Sequence, residues 1–219
     1  MDSTQSMPLT LVVNAGGASL RMGQHKALLP VPPAGKPLVV HVIEALRSLR
    51  LSELVVVAND PAVAEAVAGR RGVRCVADAW SGSGPLAGIA AGLATCPGWA
   101  AVIGCDMPLV NAAVIELLAQ VAQETDAAGV RRWDAVVPLI RKRTQTMHAL
   151  YHRAILPVIE EMVSFKPIAF VQALTLACRS ASGRSALYLQ QSASKAASHS
   201  SPSMRAMVPS AMTETKREV

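Results

Sequence analysis

The sequence predicts an α/β domain built on a parallel or mostly parallel sheet with helices on both faces. Short apolar runs recur along the first 163 residues with helix-length spacers between them, the pattern of βαβ units. The 219 residues are 51% hydrophobic but only 3% aromatic, so the core is Val, Leu, Ile and Ala, a mix suited to helices packed on a parallel sheet. Glycines and polar residues gather where the strand-like runs end, and in open α/β sheets ligands bind beyond the carboxyl ends of the strands.

Residues 9–15, LTLVVNA, read as a buried strand. Residues 37–50 carry apolar side chains at 38, 39, 42, 43, 46 and 49, one face of a helix. A second strand, 51–60, ends in Asn59-Asp60, and a short helix over 61–70 has Pro61 at its start and Gly69 near its end. Residues 73–78 form a third strand ending in Asp78, and 81–96 begin as a loop and become a helix. The run 99–108, WAAVIGCDMP, is a fourth strand, apolar until Asp106. A helix over 111–124 and a strand over 133–140 follow, and 148–163 read as a helix broken at Pro157. The clusters Gly16/Gly17/Arg21/Lys26, Asn59/Asp60, Asp78 and Asp106 should therefore share one rim of the sheet.

Charge and composition exclude several classes. The formal charge of +6 is concentrated at the end: residues 164–219 hold seven Lys/Arg against two Glu, leaving the first 163 residues near neutral. That distribution argues against nucleic acid as a partner. No apolar run reaches the roughly 18 residues needed to cross a bilayer. The N-terminus lacks the basic start and apolar stretch of a secretion signal, so the cytoplasm is the expected location. The cysteines at 75, 96, 105 and 178 show no metal-ligand spacing and read as small buried hydrophobes.

The chemistry gathers in VVNAGGASLRMGQHKALLP, residues 12–30. Glycines allow positive φ and a close approach of ligand to backbone. Exposed amides ahead of a helix start make an anion site. Two phosphate-loop patterns fail here: Gly23 is followed by Gln24-His25-Lys26-Ala27 rather than Lys-Ser/Thr, and no glycine spacing fits G-x-G-x-x-G. A ring of glycine amides, Arg21, Lys26 and aspartates suits an anionic ligand carrying a metal ion.

The stretch AGGASLRMGQHKALLP resembles the signature loop of the molybdenum cofactor guanylyltransferases, within the nucleotidyltransferase superfamily. Three further segments match in order: SGSGPLAGIAAGL (81–93), GCDMP (104–108), and DAVVP (134–138) followed by QTMHALYHRAILPVIE (145–160). The resemblance covers about residues 9 to 163. It implies a three-layer Rossmann-like nucleotidyltransferase fold over residues 8–163, and transfer of GMP from GTP to the phosphate of molybdenum-bearing molybdopterin with release of pyrophosphate. By the same resemblance, Arg21, Lys26 and Asp106 are catalytic, and Asp106 binds Mg²⁺. Asn14, Ala15, Gly16, Gly17, Lys26, Asn59, Asp78, Gly84, Pro85, Leu86 and Asp106 bind the nucleotide, with the amides of Ala15, Gly16 and Gly17 holding it. Asn59 and Asp78 would contact guanine and ribose, and Gly84, Pro85, Leu86 and Gly88 would form a turn that admits the base. GTP and the molybdopterin cofactor are the implied substrates, and molybdoenzymes or their chaperones the implied partners.

Bland readings stand beside these. Asp106 could cap a strand end, and Asn59-Asp60-Pro61 could be a helix-start signal only. His148 and His152, one helical turn apart in the expected helix, have no third ligand nearby and read as helix surface or core edge. Arg141-Lys142-Arg143 reads as a solvated turn that could also attract the anionic pterin phosphate.

The chain departs from the family in two places. Asn14 stands where a leucine is usual, which bears on the base pocket and on purine selectivity. Residues 164–219 lack the family's C-terminal motif, and Ser and Ala dominate 192–212 without periodicity, which reads as a disordered or frame-shifted tail. The alternatives are a cytidylyltransferase using CTP and a catalytically impaired nucleotide-binding relative.

Overall fold

The structure is a computed structural model that describes residues 7–16, 25–80, 84–141, 143–165, 185–191 and 204–207. In chain order, β1 is Leu9–Asn14, followed by a 3₁₀ turn at Lys26–Leu28 and a small hairpin, β2 Pro30–Val31 and β3 Lys36–Pro37. Then come α1 Leu38–Ala45, β4 Leu51–Val57, α2 Pro61–Val67, β5 Val73–Val76, α3 Pro85–Thr95, β6 Trp99–Gly104 and α4 Ala112–Ala122. After β7 Trp133–Ile140 and β8 Arg143–Thr144, β9 His148–His152 leads through a 3₁₀ turn, Arg153–Ile155, into α5 Leu156–Phe165. Two last strands, β10 Ser185–Gln191 and β11 Met204–Met207, close the order.

The main sheet runs β11-β10-β7-β9-β6-β1-β4-β5, with β8 paired to β7. Neighbours β6, β1, β4 and β5 are mutually parallel. β9 runs antiparallel between β6 and β7, which restores β7 to the direction of β6. The carboxyl ends of β1, β4, β5, β6 and β7 therefore lie on one rim.

Two apolar clusters cover the two faces of this sheet. Leu11 and Val13 of β1 point into one, with Val39, Val42 and Ile43 of α1, Val63 of α2 and Leu118 of α4. Val12 points into the other, with Ile89 and Leu93 of α3 and Ile159 of α5. The period-2 alternation of the strands sends successive residues to opposite faces, so the three layers expected from the sequence are present. Each fully buried Leu, Ile or Val contributes roughly 1.5–3 kcal/mol relative to exposure. The helix starts are well marked: Asp60 accepts a bond from the Ala62 N–H (2.9 Å) and Asn111 one from the Ala113 N–H (2.9 Å).

One element is corrected. The expected helix over 148–163 is a buried strand, a 3₁₀ turn and a helix that begins at Leu156. β9 sits between two strands, with Ala149 and Tyr151 on one face and Leu150 on the other, all buried. Burial on both faces erases the polar-apolar alternation that would have marked a strand. Pro157 lies in the first turn of α5, where its missing N–H costs nothing, so it opens a helix rather than breaking one. Of the segment 164–219, expected to be a disordered or frame-shifted tail, the described residues are the end of α5 and two strands, β10 parallel to β7 and β11 antiparallel to β10; the rest of the segment lies outside the described residues. Among the described residues, no helix is long and apolar enough to cross a membrane.

Candidate nucleotide site on the carboxyl rim

Asn14, the last residue of β1, ties three segments of the rim together. Its carbonyl accepts the Cys105 N–H just past β6 (3.0 Å). Its side-chain Oδ1 accepts the Gly16 N–H (3.0 Å), and its Nδ2 donates to the Pro85 carbonyl at the start of α3 (3.4 Å). The carboxamide lies directly over Gly88 of α3, where any Cβ would run into it. Gly88 is therefore required by a close approach, not by a turn.

This geometry revises one expectation. Ala15 is buried and its N–H donates to the Val57 carbonyl (2.8 Å), while the Gly16 amide is held by Asn14. Both donors expected to face a ligand are engaged within the fold. What Gly16 offers is the absence of a side chain: a Cβ there would sit 3.6 Å from Asp78 Oδ2 and 3.4 Å from Asn14 Oδ1. Gly17 and Arg21 lie outside the described residues.

Asn59 and Asp78 form a second unit, at the ends of β4 and β5. The Asn59 Nδ2 donates to the Asp78 carbonyl (3.1 Å) and its Oδ1 accepts the Asp78 N–H (2.6 Å). The carboxamide thus copies a pair of backbone partners and fixes Asp78 in place. Asp78 is a buried residue, 8% exposed; its Oδ1 accepts the Trp80 N–H (2.8 Å), and Oδ2 faces Gly16. Asp60, next in sequence to Asn59, is the helix cap. The helix-start reading of Asn59-Asp60-Pro61 thus rests on Asp60, while the Asn59 carboxamide is bonded to the Asp78 backbone.

Lys26 opens the 3₁₀ turn, which is capped by His25 Nδ1 accepting from the Ala27 N–H (3.4 Å). Asp106 is exposed two residues beyond β6, and its Oδ1 stands 2.7 Å from where a Cβ on Gly104 would be. The buried Cys105 thiol reports on both charges. Burial, and after it the neighbouring Asp106 carboxylate, push its pKa up to about 12, with Lys26 working in the opposite direction. Lys26 and Asp106 thus act on one spot of the rim, and Cys105 stays a protonated, inert thiol at neutral pH. Gly84, with φ +77, precedes Pro85 at the first position of α3, and Leu86 is half-buried behind them.

No group of three or more His, Cys, Asp or Glu that could hold a metal occurs among the described residues. One exposed carboxylate nevertheless fits Mg²⁺, which is commonly held by one or two carboxylates together with substrate phosphates and water. Asp106 would hold such an ion at the phosphates.

Sequence reasoning missed two features of the rim. His41 of α1 lies with its Nε2 2.9 Å from the Pro108 carbonyl, tethering the segment after Asp106 to a helix. A single histidine on an otherwise apolar helix gives no signal for that. His148 is the first residue of β9, paired with Ile103; its Nε2 is buried without a partner and burial lowers its pKa. His152 caps the following 3₁₀ turn, accepting from the Ala154 N–H (3.1 Å), and stacks edge-on with Trp99. The histidines share a strand face and the metal reading gains nothing.

The model of the MobA-like NTP transferase domain matches residues 11–178. A probable molybdenum cofactor guanylyltransferase of Carboxydothermus hydrogenoformans is 33% identical over 154 residues, covering 70% of each chain. A molybdenum cofactor guanylyltransferase of Pseudomonas putida is 34% identical over 157 residues, covering 70% of this chain and 75% of that one. Among solved structures, the molybdopterin-guanine dinucleotide biosynthesis protein A of Archaeoglobus fulgidus superposes with a TM-score of 0.61 at 25% identity, covering 83% of each chain.

Proposed function

We propose a reaction for this chain from its family: it belongs to the MobA-like NTP transferases and is a nucleotidyltransferase of molybdenum cofactor biosynthesis. The reaction is transfer of GMP from GTP to the phosphate of molybdopterin carrying molybdenum. An oxygen of the acceptor phosphate attacks the α-phosphorus of GTP, the new P–O bond forms as the bond to the β-phosphate oxygen breaks, and pyrophosphate leaves with the electron pair. Two anions must be brought together in line, so alignment and charge neutralisation are the main catalytic tasks.

The observation that carries this reading is the convergence of the Asn14–Gly16 turn, Asp78, Lys26 and the Asp106 segment on one rim, linked through Asn14 and Cys105. Asp78, held by Asn59, presents an acceptor-only carboxylate suited to the N–H groups of guanine or to ribose hydroxyls. Gly16 and Gly84 leave room for the nucleoside to approach backbone. Lys26 faces the phosphates as a positive charge, and Arg21, five residues before it in sequence, is the second cation assigned to them. Asp106 would hold Mg²⁺, which when bound would supply further neutralisation of the charge that develops on the leaving group. No covalent enzyme intermediate is needed.

The testing experiment is pyrophosphate release from GTP with Mg²⁺, with and without molybdopterin, repeated with CTP. Release that requires molybdopterin and prefers GTP supports the proposal. A preference for CTP makes the chain a cytidylyltransferase. Nucleotide binding without release makes it an impaired relative.

A further inference from the structure

The strand-end residues assigned to the nucleoside, Asp78, Asn59 and Asn14, lie on one side of Asp106. Asp78 follows β5, Asn59 follows β4, and Asn14 ends β1, in the sheet order β5, β4, β1, β6. Asp106 follows β6, so the acceptor must come in from the opposite flank, over β9 and β7. β7 runs in the direction of β6, and its last residue, Ile140, reaches the same rim. The register carries Ile103 of β6 onto His148 of β9, and Val136 of β7 onto Leu150. The tip beyond Ile140 is thus two strand spacings, about 10 Å, across the sheet from the chain that bears Asp106.

That tip is unusual. Ile140 pairs with Arg143, so β7 and β8 form a tight hairpin that Arg141 enters directly after β7. Arg141 adopts φ +49, the left-handed region that glycine, asparagine or aspartate normally fills in a two-residue hairpin. It is the only non-glycine residue with positive φ among those described. An outlier of this kind points toward function. The returning limb is fixed: the Gln145 N–H donates to the Pro138 carbonyl (2.8 Å) and its Nε2 to the Arg143 carbonyl (3.1 Å). Arg141 and Arg143 are exposed, and none of the four ion pairs among the described residues involves them.

We propose that Arg141 and Arg143, at the tip of the β7–β8 hairpin, seat the terminal phosphate of the acceptor, a phosphate monoester, across Asp106 from the nucleotide; this rests on the nucleotidyl-transfer reading above. Guanidinium forks match phosphate oxygens bidentately and stay charged at any working pH. Two of them on a fixed hairpin would draw the monoester to the rim and present its free oxygen toward Asp106 and the α-phosphate. They touch the substrate away from the bond that breaks, so their part is binding and aim.

The test uses the full chain and molybdopterin itself, with binding followed by pterin fluorescence in the absence of nucleotide. Arg141→Gly removes a guanidinium while relieving the left-handed backbone, so the variant keeps its unfolding midpoint; Arg143→Gln is combined with it. The expected result is a molybdopterin Kd raised at least about tenfold in the double variant, with GTP affinity measured separately and changed less than about twofold. A molybdopterin Kd unmoved by both substitutions, or no molybdopterin binding by the unaltered chain, overturns the proposal. Failure of the unaltered chain to bind GTP counts against the nucleotide reading instead, because the acceptor measurement contains no nucleotide.

Discussion

Gly88 and Lys26 show how single residues divide the work of the rim. Gly88 lies inside a helix, where alanine is normally better by about 1 kcal/mol. Here its missing side chain is replaced by the Asn14 carboxamide, so Gly88→Ala should destabilise instead, by an overpacking cost of about 1–3 kcal/mol set against the helix gain. Adding Asn14→Ala should recover part of the loss, and denaturant unfolding of the two single variants and the double gives the coupling. Additive losses would mean that the carboxamide and Gly88 do not touch. Lys26 is exposed at the start of a 3₁₀ turn and contributes nothing apolar to the core. Lys26→Ala should weaken GTP binding about ten- to a hundredfold, the loss of one charge-assisted bond, with an unchanged unfolding curve. Titration calorimetry checks it, and an unaltered GTP affinity would make the loop a simple turn. The aspartates, glycines and lysine of the rim were legible in the sequence because each follows an apolar run. The internal commitments of the Ala15, Gly16 and Asn59 groups were not, since partners such as Val57, Pro85 and Asp78 lie far along the chain.

Elements with one buried face announced themselves, and elements buried on both faces did not. α1, α2 and α4 each carry a readable apolar stripe, and β7 falls on the expected residues 133–140. β9 was hidden because HALYH buries apolar side chains on both faces of a short strand, and the helical α5 after it extended the apparent period. Its place between β6 and β7 has a measurable consequence. Leu150 is fully buried against the face that carries Trp99 and Val136, so Leu150→Ala should cost about 2–5 kcal/mol, the usual toll of a truncated core leucine. A helix on the surface of the sheet would lose far less for any side chain off its apolar stripe. The denaturant midpoint of this variant reads the difference directly, and a loss below about 1 kcal/mol would contradict the central strand. The antiparallel run of β9 also returns β7 to the direction of β6, which is why Arg141 and Arg143 lie at the rim that carries Asp106 and not at the opposite edge of the sheet.

Across the whole molecule, the sheet works as a ruler. Parallel strands β5, β4, β1 and β6 bring Asp78, Asn59, the Asn14–Gly16 turn and Asp106 to one edge in that order, and two apolar clusters on opposite faces hold the edge rigid. The central claim is that this edge performs metal-assisted nucleotidyl transfer, with Asp106 as the metal's protein ligand. Asp106→Asn tests it most directly, because asparagine keeps the size and the capping ability of the residue while removing the charge Mg²⁺ requires. The measurement is molybdopterin-dependent pyrophosphate release from GTP across a Mg²⁺ titration, with metal-free GTP binding and the unfolding midpoint recorded on the same protein. Turnover should fall by roughly 10²–10³-fold, the Mg²⁺ needed for half-maximal rate should rise, and metal-free GTP binding and the midpoint should stay where they were. Normal turnover at every Mg²⁺ concentration would make Asp106 a strand-end cap and contradict the account.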